Sequence, residues 1–176
     1  MNGQQKTRHL KDKSGELEKL ATSVLSEDGD DLGRLDTIKI LYAWRDPPRY
    51  DQARARLVRG EAKKLSTRER DLFGYDACVI MAQKVWKELS ESQRRRLMWH
   101  ELYHIEVQLD HSGEPDLDDH GRIKIRLRRH DLNMERFSEE LEKFGFEAEE
   151  KVATKKLIKI YRKHFPLVKN GQSKGT

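Results

Sequence analysis

Apolar residues recur along this chain with two different periods, and each period marks an element. Leu17, Leu20, Ala21, Val24 and Leu25 fall at helical spacing and predict a short amphipathic helix, ending in the acidic, glycine-containing stretch 26–33. Residues 1–14 are polar, carry no such stripe and read as loose. Residues 37–44 are rich in β-branched and aromatic side chains and stop before Pro47-Pro48, the pattern of a strand. The stretch 53–65 is ambiguous, with a short strand over 58–63 broken at Gly60 as one reading. Ser66-Thr67-Arg68-Glu69 has capping-box spacing and predicts a helical turn. Residues 75–82 read as a mostly buried strand. Ser90-Glu91-Ser92-Gln93 is a second capping box, with Ser90 as N-cap, and predicts a helix from about Glu91 to Gln108 with Leu97, Leu102, Ile105 and Leu109 toward the core.

An acidic loop over 110–121 follows. Residues 122–128 then alternate strictly, with Ile123, Ile125 and Leu127 on one face and four cations on the other, as in a half-exposed strand. Asp131 can cap a helix whose core stripe is Met134, Phe137, Leu141 and Phe144, ending at Gly145. A last helix, roughly 147–164, precedes Pro166. These elements predict an α+β domain: a small mixed β-sheet packed on the 91–108 helix, with flanking helices at both ends. Three parts are expected: a polar arm with a short helix over 1–34, the main domain over 35–146, and a basic helix and tail over 147–176.

Charge sharpens this division. The formal net charge is +5, yet eight of the 36 basic residues and none of the 31 acidic ones lie in 151–176, which leaves the first 150 residues at −3. The positive excess therefore belongs to the tail. The single cysteine, Cys78, excludes an internal disulfide framework and a Cys-rich zinc site, and its place in a buried strand makes it an inert small hydrophobe. Trp44 and Trp86 read as core aromatics. No apolar run approaches the roughly 18 residues of a membrane span, and the N-terminus has no apolar signal region, so a reducing cytoplasm is expected.

The chemistry is carried by His100-Glu101-Leu102-Tyr103-His104. On a helix, positions i and i+4 share a face, so His100 and His104 can bind one Zn²⁺ through ring nitrogens. Glu101 then lies beside the open metal position, where it can take a proton from metal-activated water. The third ligand is open to several residues. A glycine at 107 and a histidine at 110 would continue one known pattern, but the chain has Val107 and Asp110. Glu135 and Glu139 lie on the next predicted helix, and His111 and His120 sit in the acidic loop. His130 lies at the junction between the alternating strand and the following helix, which makes it the favoured candidate. The acidic loop lacks calcium-loop spacing and reads as solvated.

Trp86-Lys87-Glu88-Leu89-Ser90, Gln93-Arg94-Arg95-Arg96-Leu97 and His100-Glu101-Leu102-Tyr103-His104-Ile105 form an ordered set with Lys124-Ile125-Arg126-Leu127-Arg128-Arg129-His130-Asp131, Phe137 and Phe144-Gly145. Gly74-Tyr75-Asp76 lies upstream. This set resembles the phage metallopeptidase family over roughly residues 37–145. The resemblance implies a zincin-like α+β fold, zinc as the ion and His130 as third ligand. It says nothing of the N-terminal helix or the basic tail, and it does not supply a substrate.

Two functions follow. In the first, the chain is a zinc-dependent hydrolase of peptide bonds: His100, His104 and His130 hold the ion, and Glu101 is the general base. Tyr103 or the cations of 122–129 then stabilise the oxyanion, and the strand over 75–82 offers a sheet edge to a peptide or protein substrate. In the second, the chain is a nucleic-acid- or protein-binding module with a structural or vestigial metal site and a basic C-terminal tail. The two combine if the tail brings a peptidase to DNA-bound proteins. No membrane partner is expected, and a phage-encoded chain would work in the host cytoplasm. Oligomeric state is left open.

Overall fold

The computed structural model describes residues 8–52, 56–130 and 143–144. The chain divides into two compact units, Met1–Phe137 and Ser138–Thr176. Of the second, only the helical pair 143–144 is described, so the expected helices over 131–145 and 147–164 and the basic tail otherwise lie outside the described residues.

Within the first unit the described elements run β1 (Arg8–Lys11), α1 (Glu16–Leu32), a 3-10 turn (Leu35–Thr37), β2 (Ile40–Asp46), β3 (Tyr50–Asp51), β4 (Arg56–Leu57), β5 (Gly60–Lys64), α2 (Thr67–Phe73), β6 (Ala77–Ala82), α3 (Gln83–Glu88), α4 (Glu91–Tyr103), β7 (Ile105–Val107) and β8 (Ile125–Leu127). The architecture is α+β, with a small mixed sheet ordered β1-β2-β6-β5 and four helices among the described residues. β2 runs parallel to β6, while β1 and β5 are antiparallel to their neighbours. β3 with β4, and β7 with β8, form separate two-stranded ribbons.

The sheet separates two apolar clusters. Register places Trp44 beside Met81 and Tyr42 beside Val79, and strand alternation puts all four on one face. On that face Trp44 meets Trp86 of α3 edge-to-face at 5.7 Å, and the Trp86 indole N–H donates to Glu16 of α1 at 2.7 Å. Leu17, Ala21 and Val24 of α1 and Met98, Trp99 and Leu102 of α4 are also fully buried. The opposite face carries Ala43, Cys78, Ile80 and Leu65, flanked by Leu41 and Tyr75. The Cys78 thiol is pushed up to about 11 by burial, which keeps it protonated and unreactive at neutral pH.

Several elements differ from their sequence expectation, each for a tertiary reason. Residues 8–11 form an edge strand instead of a loose arm: their side chains are all exposed, so no apolar pattern marks them, and pairing of Arg8 through Lys11 with Asp46 through Ala43 holds them. Helix α1 continues through the acidic stretch to Leu32, with a kink at Asp28. Arg95 of α4 pairs with Glu27 and Asp28 at 3.0 Å each, and Leu32 is fully buried, so a partner 67 residues away sustains the last turns. The strand at 77–82 is not an edge. It lies between β2 and β5 with all six residues buried, and the described edge on that side is β5.

The start of α1 depends on one carboxylate. Its N-cap is Gly15, which has no side chain to cap with. Asp12 reaches over instead, accepting from the Leu17 N–H at 2.8 Å, the Ser14 hydroxyl at 2.5 Å and the Trp44 indole at 3.2 Å. Burial raises the Asp12 pKa, but the bonds from Ser14, Leu17 and Trp44 outweigh it and hold the carboxyl below its ordinary value. Asp12→Ala should lower unfolding free energy by about 1–2 kcal/mol in urea denaturation at neutral pH. A carboxylate with a depressed pKa contributes stability above its unfolded pKa and loses it as pH falls through the folded value. The stability difference between the native chain and Asp12→Ala should therefore shrink on acidification.

Candidate metal centre

Helix α4 carries the motif and is well anchored at its start. The Ser90 hydroxyl accepts from the Gln93 N–H at 3.3 Å, and the Gln93 side chain accepts from the Ser90 N–H at 2.9 Å, a complete capping box. The helix ends at Tyr103, five residues earlier than its sequence suggests, because Ile105 and Val107 alternate with Glu106 as a strand and pair with Leu127 and Ile125. Leu109, expected in the core, is 50% exposed, and Leu97 is only half-buried. The buried residues of α4 are Arg96, Met98, Trp99, His100, Glu101 and Leu102.

His104 therefore sits at the C-cap, where helix becomes strand. Two bonds tie this corner to the segment after β8. The Arg128 N–H donates to the His104 carbonyl at 2.7 Å, and the His104 ring Nδ1 lies 2.9 Å from the Arg128 carbonyl. A carbonyl can only accept, so Nδ1 is the donor, and in the neutral ring Nε2 then carries the lone pair that a metal-ligating histidine needs. The Arg128 guanidinium lies 4.4 Å from the centre of the Tyr103 ring, which in turn stacks on Trp99 at 4.7 Å. This stack pins the segment that leads to His130.

The fold thereby brings His130 to the two motif histidines. Ring centroids of His100, His104 and His130 lie 4.6–5.0 Å apart pairwise, and His100 Nε2 and His130 Nε2 are 3.0 Å apart. One ligand nitrogen from each ring lies within 4.8 Å of the others. Two nitrogens sharing a tetrahedral zinc at about 2.0–2.1 Å stand about 3.3 Å apart, so the spacing of this pair suits a shared ion. His111 and His120 are exposed in the loop and outside the cluster, while Glu135 and Glu139 lie outside the described residues.

Glu101 points to a different place, toward the edge strand. It is 5% exposed, and its carboxylate accepts the Ala62 N–H of β5. Burial pushes its pKa up to about 7, with Glu61 adding to the rise and His100, the Ala62 N–H and Arg45 opposing it. A cation held by the neighbouring rings would act in the opposing sense. The role of β5 is not visible in the motif. The one local signal was an isolated glycine in a strand-like stretch, which marks a bulge or a close backbone approach.

The cations of 122–128 are mostly committed elsewhere. Arg122 pairs with Asp71 at 2.7 Å and Asp118 at 3.2 Å, Lys124 with Asp116 at 2.9 Å, and Arg126 with Glu106. These pairs, with Arg34–Glu114, account for much of the acidic loop, which serves as a clasped surface segment. Arg128 contacts the histidine corner.

Three convergent imidazoles, His100, His104 and His130, form a group that could hold a metal ion, with the buried Glu101 next to His100 in the chain. The donor set is soft enough for a late divalent metal and holds no thiolate. The chain belongs to the family described as putative phage metallopeptidase, whose profile matches residues 8–162. No curated protein and no solved structure matches it. No helix among the described residues is long and apolar enough to cross a membrane.

Proposed function

We propose that this chain is a zinc-dependent peptidase of zincin-like fold, with His100, His104 and His130 as ligands and Glu101 as general base. The observation that carries the reading is the convergence of one ligand nitrogen from each of the three rings within 4.8 Å, beside a buried glutamate. Zinc, when bound, supplies a Lewis acid for the scissile carbonyl and brings the pKa of its water to about 7. The residues of the chain do the rest. Glu101 takes the proton from the attacking water and returns it to the leaving amine. The Nδ1 bond of His104 to the Arg128 carbonyl fixes the tautomer and ring orientation. The edge of β5, Gly60–Lys64, lies next to Glu101, which accepts the Ala62 N–H, and in this reading an extended peptide runs along that edge. For a phage-encoded enzyme the working compartment is the host cytoplasm.

The test is metal content. Protein purified without chelator should carry about one equivalent of zinc, and stripped protein should take one equivalent back. A chain that stays metal-free on titration overturns the reading.

A second reading rests on the charge asymmetry, eight cations and no acid over 151–176. In it this segment contacts nucleic acid, alone or as an address for the peptidase. Duplex binding should then weaken steeply with salt, and Lys155→Glu with Lys156→Glu should abolish it. Binding unchanged in that double variant removes the segment from consideration.

A further inference from the structure

Gly60 opens β5, pairs with Met81 of β6, and so lies on the sheet face that α4 covers. Its φ is outside the left-handed region, so the backbone there does not require glycine. Space does. A Cβ at this position would stand 2.7 Å from Cδ and 2.8 Å from Cγ of Glu101, and closer still to Oε1. Ordinary carbon contacts are about 3.5–4.0 Å. Because Cγ is involved, swinging the carboxylate alone does not relieve the overlap. Two residues further on, the Ala62 N–H donates to the same carboxylate.

We propose that Gly60 is a positioning residue. Its missing side chain and the Ala62 N–H together form a seat on the edge strand that holds the Glu101 carboxylate beside the histidine cluster. The proposal deepens the peptidase reading and rests on it for the role of Glu101. Among the other described glycines with a stated environment, none has a heavy atom within 4 Å of a built Cβ, so Gly60 is singular in being required for contact reasons. The strand proposed to pair with the peptide would also hold the base, which couples substrate alignment to the position of the proton acceptor.

The test is a double-mutant cycle in the full chain: Gly60→Ala, Glu101→Ala and the pair, each followed metal-free by the Ala62 amide resonance and by Tm. Gly60→Ala should move the Ala62 amide proton upfield, as Glu101→Ala does, because both remove its acceptor. It should lower Tm in the native background, yet leave or raise it in Glu101→Ala, where the emptied space accepts the methyl and alanine restricts the unfolded chain. If Gly60→Ala alone does not fold, rescue by Glu101→Ala supports the seat and failure of rescue overturns it. An unmoved Ala62 amide in Gly60→Ala, or an equal Tm loss in both backgrounds, also overturns it. Zinc uptake should be unchanged in Gly60→Ala, while kcat falls by about 10²-fold at constant KM, the scale of a 1 Å misplacement. A native chain that binds no zinc and cleaves no peptide sinks the peptidase reading, whereas the amide and Tm cycle still decides the seat.

Discussion

Glu101→Gln should lower kcat for peptide hydrolysis by about 10²–10⁴-fold, the usual contribution of a positioned general base. Glutamine is nearly isosteric, and its amide oxygen can still accept the Ala62 N–H, so the side chain stays in place. What it loses is the capacity to take a proton. The loss should fall on kcat with KM nearly constant, since the interaction removed is made only in the transition state. Zinc stoichiometry should remain near one, because the amide does not disturb the three rings. The same substitution also removes a carboxylate that burial disfavours when ionised, so Tm should not fall. Unchanged hydrolysis in Glu101→Gln would remove this residue from the mechanism, whatever the metal content.

His130→Ala should weaken zinc binding by more than about 100-fold. Losing a partner outside the metal's own ligands typically costs 10–100-fold, and losing a ligand costs more. His100 and His104 would remain, but two nitrogens from one helix leave the ion open on two sides, short of the three protein ligands of a catalytic site. His130 is half-buried, so its truncation should leave the core and Tm little changed. Competition with a chromophoric chelator reads the affinity directly. His111→Ala and His120→Ala are the controls, being exposed and outside the cluster, and should bind zinc as the native chain does. Full affinity in His130→Ala together with its loss in Glu135→Gln or Glu139→Gln would move the third ligand to those residues.

Much of the α4 region was legible because its determinants are local. A capping box is four consecutive residues, and both boxes formed where the spacing put them, at Ser66 and Ser90. The pair of histidines one turn apart needs only helical geometry. The strands at 40–46 and 77–82 announced themselves by their apolar content, with Ile, Tyr and Trp in the first and Val, Ile and Met in the second. Where local pattern misled, a distant partner was responsible. Arg95 recruits Glu27 and Asp28 and lengthens α1 across what looks like a break. β8 captures residues 105–107 and ends α4 early, because Ile105 and Val107 fit a period of two as well as a helical stripe. Of the three aliphatics on the 122–128 face, Ile125 is 1% exposed and Leu127 41%, so alternation alone does not set burial there.

The sequence by itself determined the helix, its cap, the HExxH spacing and the asymmetry of charge, all of which depend on neighbours within a few residues. Only the tertiary structure decided which distant residues lie beside the motif. His130 meets His100 across 30 residues through the β7–β8 turn-back and the Trp99–Tyr103–Arg128 stack. Gly60 and Ala62 meet Glu101 because β5 is an edge strand beside α4. Both depend on chain reversal and sheet order, which are set by the sum of long-range burial and backbone pairing and leave almost no trace in any one stretch of residues.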